Sequence, residues 1–272
     1  MKLLAIETTG VSGSVALSVD GVIVKSLTLD TERRSAQTLA PAISDILGEV
    51  GWNSKSIEAV ALAIGPGSFT GLRVGVATAQ LFAWAVNAKV LAIDTLDVIA
   101  AQLHHSPSVE RDRVVSIGLD AQRGDVAVRE YWLGQDAPWR ITRAYRIESC
   151  AAWLDLSRAF PYSSVSRSEF AAASVPELLR DESVLTRLFA ASKSESLFCG
   201  DTLQRAKQKG LATEAHLLAA PEFQHASAEG VSLAAWRRIE KGDFDDYAQL
   251  LPVYTRLASA EEKRIANLAK NR

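Results

Sequence analysis

The stretch from residue 59 to residue 87 constrains the fold most, because it joins a buried-strand pattern, a glycine-proline turn and a long apolar helix. Residues 59–64 are continuously apolar and end at a Gly-Pro pair, which is typical of a strand covered on both faces in a parallel sheet. A helix must follow as the crossover, and Ser68 can cap its start. The sequence therefore predicts an α/β fold with a helix that begins near Phe69.

Small residues recur every four positions along that helix: Gly71, Gly75, Ala79 and Ala83. Each glycine inside a helix costs about 1 kcal/mol relative to alanine, so something is expected to approach this stripe closely. The neighbour is either a helix or strand of the same chain or another protein molecule. The turn before the helix fits neither the dinucleotide fingerprint nor the P-loop, so its spacing gives phosphate binding no support.

Composition narrows the class of protein. The chain has 272 residues, 48% of them hydrophobic and 23% charged, and a net charge of -2, which gives no overall basic character for nucleic-acid binding. Its two cysteines, Cys150 and Cys199, are compatible with a reducing cytoplasm. The start of the sequence has no signal-peptide pattern, and no stretch reaches about 18 uninterrupted apolar residues. We expect a cytoplasmic protein that is neither secreted nor embedded in a membrane.

The order of predicted elements indicates an internal duplication. Strands are predicted at 2–6, 14–19, 22–29, 59–64, 90–93, 114–119, 126–133, 139–147 and 197–200, and helices at 35–50, from about 69 to 87, at 95–104, 148–192, 201–209 and 226–240. Pro41 lies inside the first helical pattern and should kink that helix or delay its start. Three strands precede helices twice, with a break at residues 104–113. That arrangement resembles the actin-like ATPase superfamily of sugar kinases, chaperones and actin.

Residues with the chemistry for catalysis are sparse. The four histidines, His104, His105, His216 and His225, lack metal-ligand spacing and are interpreted as surface residues. No nucleophile elbow of the G-x-S-x-G type occurs. The polar loop 7–13 can hold a phosphate or merely turn the chain. The turn 120–125 can hold magnesium through its carboxylates or can be an ordinary charged turn.

Five segments together resemble the TsaB family, also called YeaZ, the bacterial partner of the enzyme that makes threonylcarbamoyladenosine at position 37 of transfer RNAs. The segments are LLAIETTGVSGSVAL (3–17), GPGSFTGLRVGVATAQ (65–80), IDTLDVIA (93–100), GLDAQRGDVAV (118–128) and PVYTRLASAEEK (252–263). The GPGSFTGLR core is highly specific, whereas residues 135–195 match the family poorly.

The resemblance implies a duplicated actin-like ATPase fold with two βββαβαβα-type domains. The first domain is predicted to comprise residues 1–106 plus about 223–272 and to carry the dimerisation helices. The second, more divergent domain is predicted to comprise residues 107–222.

The resemblance also implies a non-catalytic scaffold subunit that binds and activates TsaD, the catalytic paralogue. TsaD carries a metal-binding His-x-x-x-His, and the matching positions here, Thr95 and Ile99, cannot replace imidazole as metal ligands. The family implies partnership with TsaD and the TsaE ATPase, a homodimer when alone, and contact with tRNA through the complex. We expect no catalytic residues, no metal, no membrane and no tightly bound cofactor, with weak ATP or ADP binding confined to the complex.

Candidate site residues follow from the same resemblance. The partner surface maps to the helices at 35–50 and 69–87, through Thr38, Leu39, Ala42, Ile46, Gly71, Leu72, Gly75, Val76, Ala79 and Ala83. A degenerate nucleotide cleft maps to Thr8, Thr9, Ser12 and Asp120.

Two other functions stay open. The polar loop 7–13 and the turn at Asp120 leave room for an ATP-dependent phosphotransferase of small molecules with the same fold. A peptidase, an activity also attached to the family, has the weakest support because no nucleophile-base pair is recognisable.

Overall fold

The computed structural model describes residues 1–30, 35–135, 139–155, 197–213 and 217–255. Its first half forms a five-stranded sheet with the order β3-β2-β1-β4-β5. The elements of this half are β1 (Lys2–Glu7), β2 (Ser14–Val19), β3 (Val22–Thr28), α1 (Ser35–Val50), β4 (Ala59–Gly65), α2 (Phe69–Val86), β5 (Lys89–Asp94) and α3 (Thr95–His105). Strands β1, β2 and β3 are antiparallel, whereas β4 and β5 continue the sheet in parallel with β1.

The second half repeats this plan. Its elements are β6 (Arg113–Asp120), β7 (Asp125–Leu133), β8 (Arg140–Ser149), α4 (Cys150–Trp153), β9 (Leu197–Cys199), α5 (Thr202–Gln208), β10 (Leu217–Leu218) and α6 (Ala228–Ile239). The sheet order, β8-β7-β6-β9-β10, is the first sheet's order with β6 in the place of β1 and β9 in the place of β4. Pairing repeats too, because β6 is antiparallel to β7 and parallel to β9.

Alternation along the strands places helices on both faces of the first sheet. Leu4 and Ile6 of β1 belong to a core cluster with α1 and α2, whereas Leu3 and Ala5 belong to a second cluster with α3 and α6. A strand that is buried on both faces has an unbroken run of apolar residues, and the run in β4 is therefore recognisable in the sequence as a buried strand.

Helices α3 and α6 connect the two halves. Helix α6 packs on β1, β2 and α3, while α3 packs on β4 and β5 and also on β6 and β7. One cluster of buried residues therefore runs from Leu3 through Leu96 of α3 to Ile117 of β6 and Tyr131 of β7. The predicted domain limits at 106, 107, 222 and 223 stay a prediction.

The predicted elements agree with the structure except at a few places. Helix α1 runs from Ser35 through Pro41 to Val50, so of the two predicted effects of the proline, a kink or a late start, the late start is wrong. Pro41 is exposed, and within a helix a proline removes only one backbone hydrogen bond. Of the predicted helical region 148–192, the structure describes only α4 and the two residues that follow it. Residues 156–192 and the tail from 256 lie outside the described residues.

Helix α2 is long and apolar enough to span a membrane by length and composition alone. One such helix is weak support for a span, because the core helix of a globular protein passes the same test. One side of α2 is buried against β4 in the first core cluster beside α1.

Candidate functional site

The small-residue stripe of α2 contacts the loop that follows β1 of the same chain. A Cβ atom on Gly71 would lie 1.8 Å from the carbonyl oxygen of Thr8, and one on Gly75 would lie 2.4 Å from Thr8 Oγ1. Thr8 Oγ1 donates a hydrogen bond to the Gly71 carbonyl at 2.8 Å. Of the two neighbours that the sequence left open, the structure shows one from the same chain.

The predicted partner-binding residues lie on the buried faces of their helices. They are Leu39, Ala42 and Ile46 on α1 and Gly71, Leu72, Gly75, Val76, Ala79 and Ala83 on α2; Thr38 is half-buried. A partner seated on the outer side of these helices cannot reach side chains that their own sheet and loop cover. The flattest side of each helix packs closest to its own sheet, so these side chains are covered within the chain, and their contact with a partner stays a prediction. That the two helices themselves bind a partner stays a prediction.

The outer side of α1 and α2 forms an apolar groove instead. It encloses about 670 Å³ and is lined by Ile43 and Leu47 of α1, Leu81 and Phe82 of α2, and Trp52 in the connection after α1, among others. Leu81 is 67% exposed at the rim, and Trp84, one turn further along α2, is 68% exposed. Side chains this large and apolar are rarely left in water together without a function.

Sequence reasoning missed Leu81 and Trp84 for an identifiable reason. The run LFAWAV makes the end of α2 apolar around its whole circumference, and such a helix is covered on more than one side. The glycine stripe identified one buried face, and the signal of a second apolar face lay in the same run.

Glu7, the last residue of β1, is fully buried where the loop at residues 7–13 begins. Its Oε1 accepts hydrogen bonds from the N–H and hydroxyl of Thr9 and, at 3.1 Å, from the N–H of Gly10. Its Oε2 is also buried and has no hydrogen-bond partner among the residues that the structure describes. Burial raises the pKa of Glu7 from 4.5 to about 7, although the bonds from Thr9 and Gly10 oppose the rise.

The first-half part of the predicted nucleotide cleft is used for internal contacts. Thr8 is bonded to α2, and the carbonyl of Thr9 accepts the N–H of Ser68 at 2.8 Å, just before α2 begins. Ser68 in turn caps α2, as predicted, by accepting from the N–H of Gly71. Ser12 is exposed in the same loop. The Thr8 hydroxyl and the Thr9 carbonyl therefore hold the loop against the helix, while the Thr9 hydroxyl donates to Glu7.

Asp120 ends β6, so it corresponds in the second half to Glu7 in the first. Arg205 of α5 binds both of its carboxylate oxygens, at 2.8 and 2.6 Å. The N–H of Asp120 donates to Asp201 Oδ1 at 2.8 Å, and burial raises the pKa of Asp201. The carboxylate that the sequence offered for magnesium is thus neutralised by a guanidinium.

The glycines after the two matching strands also correspond. Gly65 at the end of β4 has a φ of 121°, and Gly200 after β9 has a φ of 120°. A Cβ atom at Gly65 would lie 2.2 Å from the carbonyl oxygen of Val253, and one at Gly200 would lie 2.0 Å from that of Gly118. Both positions require glycine because a backbone segment approaches there in a conformation that other residues rarely adopt.

A network of charges occupies the start of α3, where the resemblance places the metal ligands of the paralogue. Arg129 of β7 pairs with Asp94 at 2.9 Å and with Asp97 at 3.0 Å, and the Tyr131 hydroxyl donates to Asp97 at 2.6 Å. Burial and the nearby charge of Asp97 raise the pKa of Asp94 to about 6, while Arg129 opposes that rise. This network links the two halves of the chain through side chains.

Thr95 and Ile99, the positions matched to the paralogue's metal ligands, are both buried. Ile99 lies in the core shared by the two sheets, and Thr95 Oγ1 has no hydrogen-bond partner within the described part of the chain. Over the same residues, no three histidine, cysteine or acidic side chains are grouped as metal ligands.

The histidine interpretation is right in one part and wrong in another. His105 and His225 are exposed, but His104 is half-buried, and its pKa is lowered to about 4 by burial and by the charges of Arg111, His105 and Arg237. His216 lies outside the described residues. Cys150 and Cys199 are both free and buried.

Known proteins with similar sequences are found among those that modify tRNA. A family model for "TsaD: tRNA N6-adenosine threonylcarbamoyltransferase" matches residues 28–137. The tRNA threonylcarbamoyladenosine biosynthesis protein TsaB of Escherichia coli is 33% identical over 139 residues, which cover 51% of this chain and 58% of that protein. The Bacillus subtilis protein of the same name is 32% identical over 127 residues, covering 46% and 53%. The chain spans about half the length of the curated relatives it matches.

Two solved structures from Pseudomonas aeruginosa are similar over nearly the whole chain. One, described as an uncharacterized protein with similarity to peptidase YEAZ, is 25% identical with a TM-score of 0.66 and covers 94% of this chain and 99% of its own. The other, described as YeaZ, is 24% identical with a TM-score of 0.67 and covers 93% and 99%.

The repeated sheet order and the matching glycine turns, together with these similarities, define a protein of the duplicated actin-like ATPase fold. The fold class predicted from the sequence is confirmed. These similarities support the assignment to the TsaB (YeaZ) family that the five segments indicated.

Proposed function

We propose that this chain is a non-catalytic, cytoplasmic partner subunit in the synthesis of threonylcarbamoyladenosine on tRNA, and that it acts by binding and activating a TsaD-like protein. The names of its relatives refer to this modification, and the family model that it matches describes the transferase. TsaE and tRNA are further partners in this proposal, with tRNA reached through the complex.

The observation that carries the proposal is the apolar groove on the outer side of α1 and α2. Leu81 leaves large apolar area in water at the rim of the groove, and Trp84 is exposed one turn further along α2. A partner helix or loop laid into the groove and along the end of α2 would cover both. Tryptophan at the centre of an interface commonly contributes more binding energy than its neighbours. The same groove would form the homodimer when the chain is alone, because two copies present identical surfaces to each other.

The polar residues of the two loops support the non-catalytic part of the proposal. The Thr8 hydroxyl and the Thr9 carbonyl hold the loop after β1 against α2 and its N-cap, and Arg205 binds both carboxylate oxygens of Asp120. A magnesium ion and a nucleoside triphosphate could bind to these threonines and to Asp120 only by displacing these hydrogen bonds and this ion pair. Weak ATP or ADP binding in the complex therefore stays a proposal that only the assembled complex can test.

The interface is tested by co-purification with the TsaD-like protein of the same organism. Trp84→Glu and Leu81→Glu each place a charge in the proposed contact, and we expect a loss of affinity of roughly 30-fold or more, the range of interface hot spots. Val22→Glu is the matched control, since Val22 is 69% exposed on the edge strand β3 and its substitution adds the same charge.

Unchanged co-elution of both α2 variants would refute the groove as the interface. Gly75→Arg is unsuitable for this purpose. Its side chain would strike Thr8 within the same chain, so lost binding would report misfolding of the loop.

The pathway is tested by mass spectrometry of tRNA nucleosides after depletion of this protein. Loss of the threonylcarbamoyl adduct, restored by the wild-type chain and not by Trp84→Glu, is the expected result. A full level of the adduct after depletion would refute the proposed function. No contact among the described residues favours the phosphotransferase or the peptidase alternative.

A further inference from the structure

A second cavity, of about 600 Å³, lies away from the α1–α2 groove. It is formed by the C-terminal ends of α3 and α6, which pack on the opposite face of the first sheet, together with the β2–β3 turn and with Gln135 and Trp139 between β7 and β8. The side chains that define its chemistry are His104, His105, Trp139, Trp236, Arg237 and Lys241. The β2–β3 turn adjoins the beginning of β1, so the cavity lies at the end of the sheet remote from Glu7.

Aromatic rings form its walls and are held in place by packing. Trp139 is buried, with its ring centre 5.8 Å from that of His104 and 6.2 Å from that of His105. The guanidinium of Arg237 lies 4.1 Å from the centre of the Trp139 ring. Trp236 is half-buried, and it packs against Gly21, where a Cβ atom would lie 3.0 Å from its Nε1. The cavity therefore has one half-buried indole, Trp236, and one buried indole, Trp139, in its wall.

The charges around the cavity are mainly positive. Arg237 and Lys241 lie one turn apart on or just after α6, so they project on the same side as Trp236 and Glu240. Glu240 is the one acidic residue of the described lining, which leaves two positive charges against one negative charge.

Cations are common at helix C-termini because they offset the helix dipole, and that accounts for Arg237 and Lys241 in part. The helix dipole does not account for two indoles and two imidazoles gathered around an open volume. His104 adds a further unusual group, since its Nδ1 is buried without a hydrogen-bond partner in the described chain and its ring is neutral near pH 7. A neutral ring of this kind can donate through its other nitrogen, Nε2.

We propose that this cavity binds a nucleotide, with the base stacked on Trp236 and the phosphate held by Arg237 and Lys241. The volume is within the range of small-molecule sites, about 300–1,000 Å³. An exposed aromatic face beside cationic side chains is the combination that binds unpaired nucleotides, because every base has a face to stack and every phosphate carries negative charge. Glu240 is available to accept from a base amino group or a ribose hydroxyl. A free mononucleotide and a residue of single-stranded RNA share this chemistry.

The test is calorimetric titration of the full chain with adenosine 5′-monophosphate, adenosine, inorganic phosphate and a single-stranded RNA hexamer. We expect the mononucleotide to bind more tightly than adenosine or phosphate, because only it satisfies both halves of the site. Trp236→Leu should weaken binding at least fivefold through loss of stacking. Lys241→Gln should weaken it about threefold through loss of one phosphate contact.

Two control variants separate this cavity from other sites. Lys55→Gln removes an exposed lysine at a distant 3₁₀ turn and should leave affinity unchanged. Arg205→Gln frees Asp120 at the other possible nucleotide site and should also leave affinity unchanged. The indole N–H signal of Trp236, assigned by its loss in Trp236→Phe, should move on titration in the NMR spectrum, and spectra of the other variants show whether they fold.

RNA binding without mononucleotide binding, with the same response to the variants, would support the site and identify RNA as the source of the nucleotide. Failure of both ligands to bind the wild-type chain would overturn the proposal. Equal affinity in folded Trp236→Leu and Lys241→Gln variants, or loss of binding only in Arg205→Gln, would overturn it as well.

Discussion

Replacing Glu7 by glutamine should remove the pH dependence that this buried carboxyl imposes on stability. The pKa of Glu7 is raised from 4.5 to about 7 in the folded chain, so the native state holds its proton at pH values where the unfolded chain has lost it. The contribution of Glu7 to stability is therefore greatest below pH 4.5, falls as the pH rises from 4.5 to about 7, and does not change further above that range. Glutamine has the same shape and no titration.

The magnitude follows from the two pKa values. At about 1.4 kcal/mol per pKa unit, the difference between 4.5 and about 7 corresponds to about 3 kcal/mol of lost stability above pH 7. At pH 5 only about 1 kcal/mol of this is lost, because this pH lies only slightly above the unfolded pKa of 4.5. The amide oxygen of Glu7→Gln can still accept from Thr9 and Gly10, so the loop keeps its bonds.

Urea denaturation of both proteins at pH 5, 6, 7 and 8, followed by circular dichroism, measures the effect. The free energy of unfolding of Glu7→Gln, relative to wild type, should rise by about 2 to 3 kcal/mol from pH 5 to pH 8. Other titrating groups are common to both proteins and cancel in the difference. Glu222→Gln, which changes an exposed carboxyl, is the control. A difference that stays constant with pH would refute the assignment of Glu7 as a buried, protonated acid.

Two further substitutions probe the packing and the charge network. Gly71→Ala should lower the free energy of unfolding by more than about 3 kcal/mol, because the added methyl group meets a backbone carbonyl. Gly48→Ala, in open space on α1, should raise the free energy of unfolding by about 0.5 to 1 kcal/mol. Urea unfolding compares the two variants, and equal effects would contradict the packing of Gly71 against Thr8. Arg129→Leu should cost about 2 to 4 kcal/mol at pH 8 and less at pH 5, since it leaves the carboxylates of Asp94 and Asp97 side by side without their cation. The same unfolding assay checks this, and a loss independent of pH would point to packing alone.

The α/β class and most element positions could be predicted from local patterns. The run at β4 is apolar on both faces, and the Asp-Gly pair between β2 and β3 marks a tight turn, so short-range rules were sufficient there. The family followed from five short segments whose order is unusual enough to be specific. Where local pattern was weak, as in residues 148–192, the prediction was weak too.

The candidate site could be predicted only in part, because the direction in which a surface faces depends on the whole fold. The spacing of Gly71 and Gly75 showed that something comes close to α2, and the structure shows that it is the loop at Thr8. The groove beside Leu81 became visible only when α1 was placed next to α2. The pairing of Asp120 with Arg205 joins residues 85 positions apart, which no local rule detects.

By itself, then, the sequence determined the periodicities, the turn glycines and the family, because these depend on neighbours along the chain. The tertiary structure decided which side of α2 is covered, that Glu7 is buried while Asp120 is paired with arginine, and that His104, Trp139 and Trp236 line one cavity. Burial, pairing and cavity formation depend on residues brought together from distant parts of the chain, and these are the properties that set exposure and pKa.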